Sequence, residues 1–114
     1  METSTPLSPA VLHILVALAG EDRHGYGIML EVARQTQGRY KLGPGTLYDN
    51  LQKLLGRGWV AEQPRKNDDD GDPRRRYYRL TRPGRALLST EITRLESVVR
   101  EARLHLQPAA GKSR

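Results

Sequence analysis

The C-terminal third of the chain carries an apolar repeat that limits the fold more than any other feature. Between residues 82 and 106 the apolar positions alternate four and three residues apart, the a/d seam of a coiled-coil helix. They are Leu88, Ile92, Leu95, Val99, Ala102 and Leu106. Such a helix would be about 37 Å long at roughly 1.5 Å per residue, more than a compact domain of this size covers. We therefore predict that this helix pairs with a second copy of the chain as a homodimer.

The ends of this helix are marked, and one alternative partner for it stays open. Thr81 is suited to the N-cap, and Pro108 cannot continue a helix. The alternative to dimerisation is packing on the helix's own domain, a contact that we expect of Leu87, which lies off the seam. Residues 107–114 are small, polar and basic, and are expected to be a disordered tail.

The composition of the whole chain limits which chemistry it can carry out. The 114 residues suffice for a single small domain. Cysteine is absent, which excludes disulfides, thiolate catalysis and cysteine zinc sites. The net charge of +6 and pI near 10.1 indicate an anionic partner, most simply nucleic acid. The start, METSTPLSP, is not a signal peptide, and no apolar run spans a bilayer, so a cytoplasmic protein without a membrane partner is expected.

A first helix is predicted after Ser8, the expected N-cap, with Pro9 in the first turn. From residue 11 to residue 19 nearly every side chain is apolar, so this helix should be buried on more than one side. His13 is the exception. Because no second ligand lies at metal-binding spacing, we expect a hydrogen-bonded or partly exposed histidine there rather than a metal site.

The stretch LGPGTLYDNLQKLLGRGWV, residues 42–60, predicts an amphipathic helix. Pro44 suits its first turn, and Gly56 and Gly58 mark its end. The buried stripe comprises Leu47, Leu51, Leu54 and Leu55. A second stripe, with Tyr48 beside it, comprises Thr46, Asn50, Lys53 and Arg57. Amide, hydroxyl and cationic groups of this kind read base edges and phosphates in a major groove, whereas the alternative is an ordinary solvated face.

The preceding segment supplies the other half of a helix-turn-helix. HGYGIMLEVARQTQG, residues 24–38, has helical apolar spacing and a stop at Gly38, and a short loop connects it to the second helix. Tyr26 and Lys41 are placed where the first helix and the loop would approach phosphates. For Tyr26, a packing role is the equal alternative.

A two-stranded wing is predicted next, from residues 59–62 and 76–80, joined by a hairpin rich in Asp, Gly and Pro. Alternation places Tyr78 and Leu80 on one face. Basic residues suited to phosphates or a minor groove are Arg65, Lys66, Arg74, Arg75 and Arg76. The fold class is thus mainly α with a small two-stranded β wing: a winged helix-turn-helix over residues 1–80 and a dimerisation helix over residues 81–106.

The aspartates of the hairpin do not predict a metal site. Aligning Gly71 with the glycine of a calcium-binding EF-hand loop puts Lys66 at its first ligand position and Tyr77 where the bidentate glutamate belongs. A solvated tip is expected, and no cofactor is predicted anywhere. Trp59 is expected in the core rather than in a ligand pocket.

Three elements in order, HGYGI, LGPGTLYDNLQKLLGRGWV and RRRYYRLTRPGRALL, resemble the PadR family of transcriptional regulators over residues 8 to about 100. The single C-terminal helix resembles the short branch of that family. The resemblance implies a homodimeric repressor, bound to pseudo-palindromic double-stranded operators near its own gene and released by a small molecule or by loss of a signal. Gly43 departs from a good helix start because it offers no capping oxygen.

Two other functions and one regulatory site complete the expectations. An enzyme is not expected, since the chain has scattered histidines, no thiol and no phosphate loop. A winged helix that binds protein rather than DNA is the alternative function. Any effector, of unidentified chemistry, is expected between the seam and the first helix, near Leu12, Leu15, Val16 and Leu95.

Overall fold

The computed structural model of the chain describes residues 6–63 and 76–108. In chain order its elements are α1 (Pro9–Gly20), β1 (Arg23–His24), α2 (Gly25–Thr36), α3 (Pro44–Gly56), β2 (Val60–Gln63), β3 (Tyr77–Leu80) and α4 (Arg82–Leu106). The predicted mainly α fold with a small β wing is confirmed. The hairpin cations Arg65, Lys66, Arg74 and Arg75, the aspartate run and residues 109–114 of the tail lie outside the described residues.

The sheet has three antiparallel strands in the order β1-β3-β2, one more than predicted. The additional strand pairs Arg23 with Tyr78 and His24 with Tyr77. A two-residue strand is too short to show alternation in sequence. The predicted orientation of β3 is confirmed, because Tyr78 and Leu80 are buried.

Helix caps account for most of the element boundaries. The Ser8 hydroxyl accepts a hydrogen bond from the Val11 N–H, and the Thr81 hydroxyl accepts one from the Gly84 N–H, as the sequence predicted. The start of α3 has no side-chain cap at Gly43. Its end is a Schellman turn in which Gly58 has φ 79°. The cap of α2 was not foreseen: Nδ1 of His24 accepts from the Gly27 N–H at 3.0 Å.

In the described part of the chain, one hydrophobic core lies between α1 and the elements around it. α1 contacts α2, α3, α4 and β3, which explains why apolar residues occur on several sides of this helix. His13, the polar exception, is partly exposed and stacks on Tyr40 with ring centroids 4.8 Å apart. The fully buried side chains include Ile14, Leu15, Leu18, Ile28, Leu47 and Leu51.

The first half of α4 belongs to this core, which corrects one assignment. Leu88 was predicted in the dimer seam, but it is only 8% exposed and packs in the core of its own domain. Further along, Glu91 is buried, accepts the Leu7 N–H at 3.2 Å and pairs with Arg94 at 2.7 Å. The Arg94 guanidinium and the Leu7 N–H hold the pKa of Glu91 below its ordinary value. α4 is therefore fixed to the body as far as its third turn.

The remaining part of α4 presents the predicted seam to solvent. Exposure is 38% at Ile92, 48% at Val99 and 81% at Leu106, and Ala102 is also exposed. Leu95 is half-buried. Among the described residues, no helix has the length and apolar character that crossing a membrane requires.

Candidate nucleic-acid interface

The exposed face of α3 follows from which of its residues are buried. Leu47, Leu51 and Leu54 face the core, as predicted. At about 100° per residue, Asp49 and the glycine at the last helical position lie opposite them, and Gln52 and Lys53 each lie roughly 50° to either side. Gln52 is thus the amide side chain nearest the centre of the outward face, and sequence reasoning missed it. A helical wheel centred opposite the three leucines would have identified it.

The predicted reading stripe lies on one flank of this face rather than at its centre. Thr46, Lys53 and Arg57 are exposed, whereas Asn50 is half-buried. Nδ2 of Asn50 donates to the Thr46 carbonyl at 2.8 Å, a bond that uses one of the two N–H groups of this amide. The role of Asn50 as a reader of adenine stays a prediction.

Tyr48 lies on the opposite flank, which corrects its predicted position beside the stripe. Its hydroxyl packs against Gly25, the first residue of α2, where an added Cβ would displace it. The neighbouring Tyr26 is 61% exposed, and Lys41 is exposed in the loop between α2 and α3. Tyr48 is therefore the side chain that joins the exposed face of α3 to the start of α2.

The base of the wing is held by polar contacts. Arg76 pairs with Glu62 at 2.7 Å, so its charge is partly compensated before any phosphate approaches. Gln63 donates to Asp22 at 3.1 Å, which ties β2 to the turn before β1. Burial raises the pKa of the Tyr78 hydroxyl, with a further contribution from the nearby Glu62 carboxylate.

A carboxylate on α2 fixes the helix that supports α3. Glu31 accepts two hydrogen bonds from Arg34 and one from Gln35, and it lies 3.7 Å from Arg23. Arg23 in turn donates to the Ala17 carbonyl at 2.8 Å. Chiefly through the Arg34 hydrogen bonds, and against the effect of burial, the pKa of Glu31 falls to about 2. This network links α1, β1 and α2.

Cations dominate the flank of α3 that carries the predicted stripe. Lys53 lies 3.9 Å from Asp49, an exposed pair that contributes little. Arg57 has no carboxylate partner among the described residues, and its guanidinium lies over the Trp59 ring, 5.3 Å from the centroid. Exposed guanidinium and ammonium groups on a helix surface can bind phosphates.

A match to a known family identifies the class of protein to which this chain belongs. Residues 11–90 match the model of the transcriptional regulator PadR-like family. The chain belongs to this family. Membership confirms the resemblance seen in the sequence, and it makes the PadR-like chain a regulator of transcription of the DNA-binding winged-helix type.

Relatives of this PadR-like regulator agree in sequence and in fold. The transcriptional regulator Rv3488 of Mycobacterium tuberculosis is 37% identical over 90 residues, which cover 79% of this chain and 78% of that protein. A transcriptional regulator from Clostridium thermocellum superposes with a TM-score of 0.71 at 22% identity, covering 86% and 90% of the two chains. A PadR family regulator from Clostridium difficile R20291 gives 0.68 at 22%, covering 88% and 100%. The two structures show the shared fold.

Proposed function

We propose that this PadR-like regulator is a homodimeric repressor that binds a pseudo-palindromic operator in double-stranded DNA. In this proposal the exposed face of α3 enters the major groove, with Gln52 and Asn50 as base readers. Tyr26, Tyr48 and Lys41 contact phosphates on one side, and Lys53 and Arg57 on the other. The wing, through Arg76 and its hairpin cations, follows the flanking backbone.

The proposal of a dimer rests on the exposed apolar seam of α4. Past Glu91 the helix runs four more turns with Ile92, Val99 and Leu106 exposed, and no described residue covers them. Exposed apolar surface of this length is stabilised by burial, and a two-fold axis brings the same face of a second copy against it. A dimer also places two α3 helices at the roughly 34 Å spacing of successive major grooves.

A charge-insertion experiment tests the dimer. Ile92→Glu combined with Leu95→Glu should give monomers in sedimentation and remove binding to an operator selected from a random duplex pool. The matched control is Thr93→Glu with Ser97→Glu, which adds the same charges to exposed positions off the seam. Wild-type protein that stays monomeric at micromolar concentration and still binds its operator specifically would refute the proposed assembly.

A second experiment separates base reading from phosphate contact. Gln52→Ala and Asn50→Ala should each cost about 1–3 kcal/mol and relax the preference at one base pair. Lys41→Ala should weaken binding to all DNA sequences alike. It should also reduce the slope of log affinity against log salt concentration by about one unit. If the glutamine and lysine variants showed the same sequence-independent loss, α3 would not be the reader. A stable dimer without salt-dependent DNA binding would favour the protein-interaction alternative.

Repression is the remaining part of the proposal. A dimer bound across an operator near its own gene would exclude polymerase, and a reporter fused to that promoter should rise when the gene is deleted. Falling reporter activity in the deletion would instead indicate an activator.

A further inference from the structure

A carboxylate lies at the centre of the exposed face of α3. Asp49 is nearly opposite the buried Leu47 and Leu51, and its side chain is 73% exposed. It is the single acidic residue of this helix, in a chain with a net charge of +6. In the proposed function this face enters the major groove. The carboxylate would then point at the edges of the base pairs, between the phosphates of the two strands.

Helix stability does not account for an acid at this position. Carboxylates stabilise the first turn of a helix through its dipole, whereas Asp49 lies in the second turn of α3. Its one ion pair among the described residues is with Lys53, 3.9 Å away, and an exposed pair of this kind contributes little. That distance is also too long for a hydrogen bond. Both oxygens of the Asp49 carboxylate are therefore available to accept a hydrogen bond from DNA.

The major groove offers a carboxylate few partners. Cytosine N4 and adenine N6 donate hydrogen bonds there, whereas guanine O6 and N7 and thymine O4 accept them. Adenine N6 lies between two acceptors, its own N7 and the O4 of the paired thymine. Cytosine N4 has an acceptor on one side only, the O6 of the paired guanine. A carboxylate is therefore best accommodated beside cytosine.

We propose that Asp49 selects cytosine at one base pair of each half-site and lowers the affinity of the regulator for other sequences. This inference rests on the proposed function, because it requires α3 to lie in the major groove. At a matching site an Asp49 oxygen accepts a hydrogen bond from cytosine N4, and this bond offsets the repulsion between the carboxylate and the phosphates. At other sequences the repulsion is not offset. The carboxylate thus widens the difference in affinity between operator and random DNA, while the cations Lys53 and Arg57 attract both.

Selection from a random duplex pool tests the assignment, with wild type, Asp49→Ala and Asp49→Asn compared at one salt concentration. The wild type should enrich cytosine at one symmetric pair of positions. Asp49→Ala should lose this preference, which we expect to be about tenfold over the other bases. Asp49→Asn should shift the preference toward adenine, because an amide can accept from N6 and donate to N7. A change at a position without cytosine, or no change at any position, would overturn the proposal.

Binding to a duplex of random sequence measures the repulsion separately. Asp49→Asn should bind such DNA about two- to threefold more tightly per protomer, the effect expected of one charge about 8 Å from a phosphate in water. The matched control is Glu101→Gln, which removes the same charge from a side chain on α4 that is 70% exposed. It should change neither the base preference nor the affinity for random DNA. Equal gains in the two variants would show that only the net charge matters, which would refute the role of Asp49.

Thermal unfolding and the wild-type selection distinguish the possible failures. Because Asp49 is exposed, both variants should unfold close to the wild-type temperature. A large loss of thermal stability would instead assign Asp49 to the fold. Wild-type protein that selects no duplex would refute the proposed function, and this inference with it. A wild-type preference that persists unchanged in Asp49→Ala would refute this inference alone.

Discussion

Replacing Gly25 by alanine tests whether α2 and α3 present their DNA contacts as one unit. An added Cβ would fall on the hydroxyl of Tyr48 and within 2.7 Å of its Cζ. Both distances are far below van der Waals contact. Because the obstacle is the far end of a flexible side chain, the Tyr48 ring should swing away while the backbone stays in place. Gly25→Ala therefore moves a proposed phosphate contact without changing any group that touches DNA.

The expected loss of DNA affinity in Gly25→Ala follows from the contact that is lost. A hydrogen bond to a charged phosphate contributes roughly 1.5 kcal/mol or more. Loss of one contact therefore lowers affinity about tenfold, and loss in both protomers of the proposed dimer about a hundredfold. The matched control is Gly27→Ala in the same helix, where the nearest atoms to a new Cβ belong to the His24 ring at 3.4 Å. That variant should bind DNA as the wild type does.

A double-mutant cycle provides the assay. Operator affinity is measured by fluorescence anisotropy at fixed salt for Gly25→Ala, Tyr48→Ala and the combination. If Gly25 acts only by positioning Tyr48, the alanine at position 25 should have no further effect once the tyrosine is gone. Additive losses would show that Gly25→Ala disturbs something else, and an unchanged affinity in Gly25→Ala would show that Tyr48 makes no important contact.

Two further predictions concern stability. Gly84→Ala should destabilise the fold by about 1–3 kcal/mol, because a Cβ there meets the Trp59 carbonyl, whereas Gly45→Ala, in open space, should stabilise by up to about 1 kcal/mol. Thermal unfolding at one protein concentration checks both, and shifts of the same sign would contradict the packing argument. His24→Ala should cost about 0.5–2 kcal/mol through loss of the α2 cap, and His24→Asn should recover most of it. Guanidinium denaturation that gives equal losses for both variants would rule out capping as the cause.

Local patterns were enough to predict the long helices and which face of β3 is buried. The spacing of Leu47, Leu51 and Leu54 gave the buried side of α3, and the caps Ser8 and Thr81 fixed two helix starts. In each case the residues that decide the structure lie within a few positions of one another. The β1 strand was missed because its pairing partner, β3, is far away in sequence.

The wrong assignment of Leu88 and that of Tyr48 have different origins. Leu88 fits the heptad seam, but whether a seam position faces its own domain depends on where α4 leaves the body. That point lies past Glu91, whose carboxylate accepts the Leu7 N–H from a distant segment of the chain. The flank occupied by Tyr48, in contrast, was available from the 100° rotation per residue, and the mistake there was one of interpretation.

The Glu31 network predicts a specific dependence of stability on pH. The pKa of this carboxyl is about 2 in the folded chain, against an ordinary value of 4.5, chiefly because of the hydrogen bonds from Arg34. A pKa lowered by folding means that the folded state stabilises the ionised carboxylate more than the protonated one. The stabilising contribution is therefore complete above pH 4.5 and is lost as the pH falls toward 2. Arg34 is largely exposed, so solvent screening reduces the size of this stabilising contribution.

Glu31→Gln removes the charge and keeps the shape, and so isolates this contribution. At pH 7 the variant should be less stable than the wild type in urea, and the difference should stay constant down to about pH 5. Between pH 4.5 and 2 the two stabilities should converge, because the wild-type carboxyl becomes protonated and loses what the variant already lacks. The control is Glu101→Gln on the projecting part of α4, where the carboxylate is exposed and bonds to His105 alone among the described residues. A Glu31→Gln difference that persists unchanged to pH 3 would show that the network stabilises the fold through its geometry rather than through the ionised carboxylate.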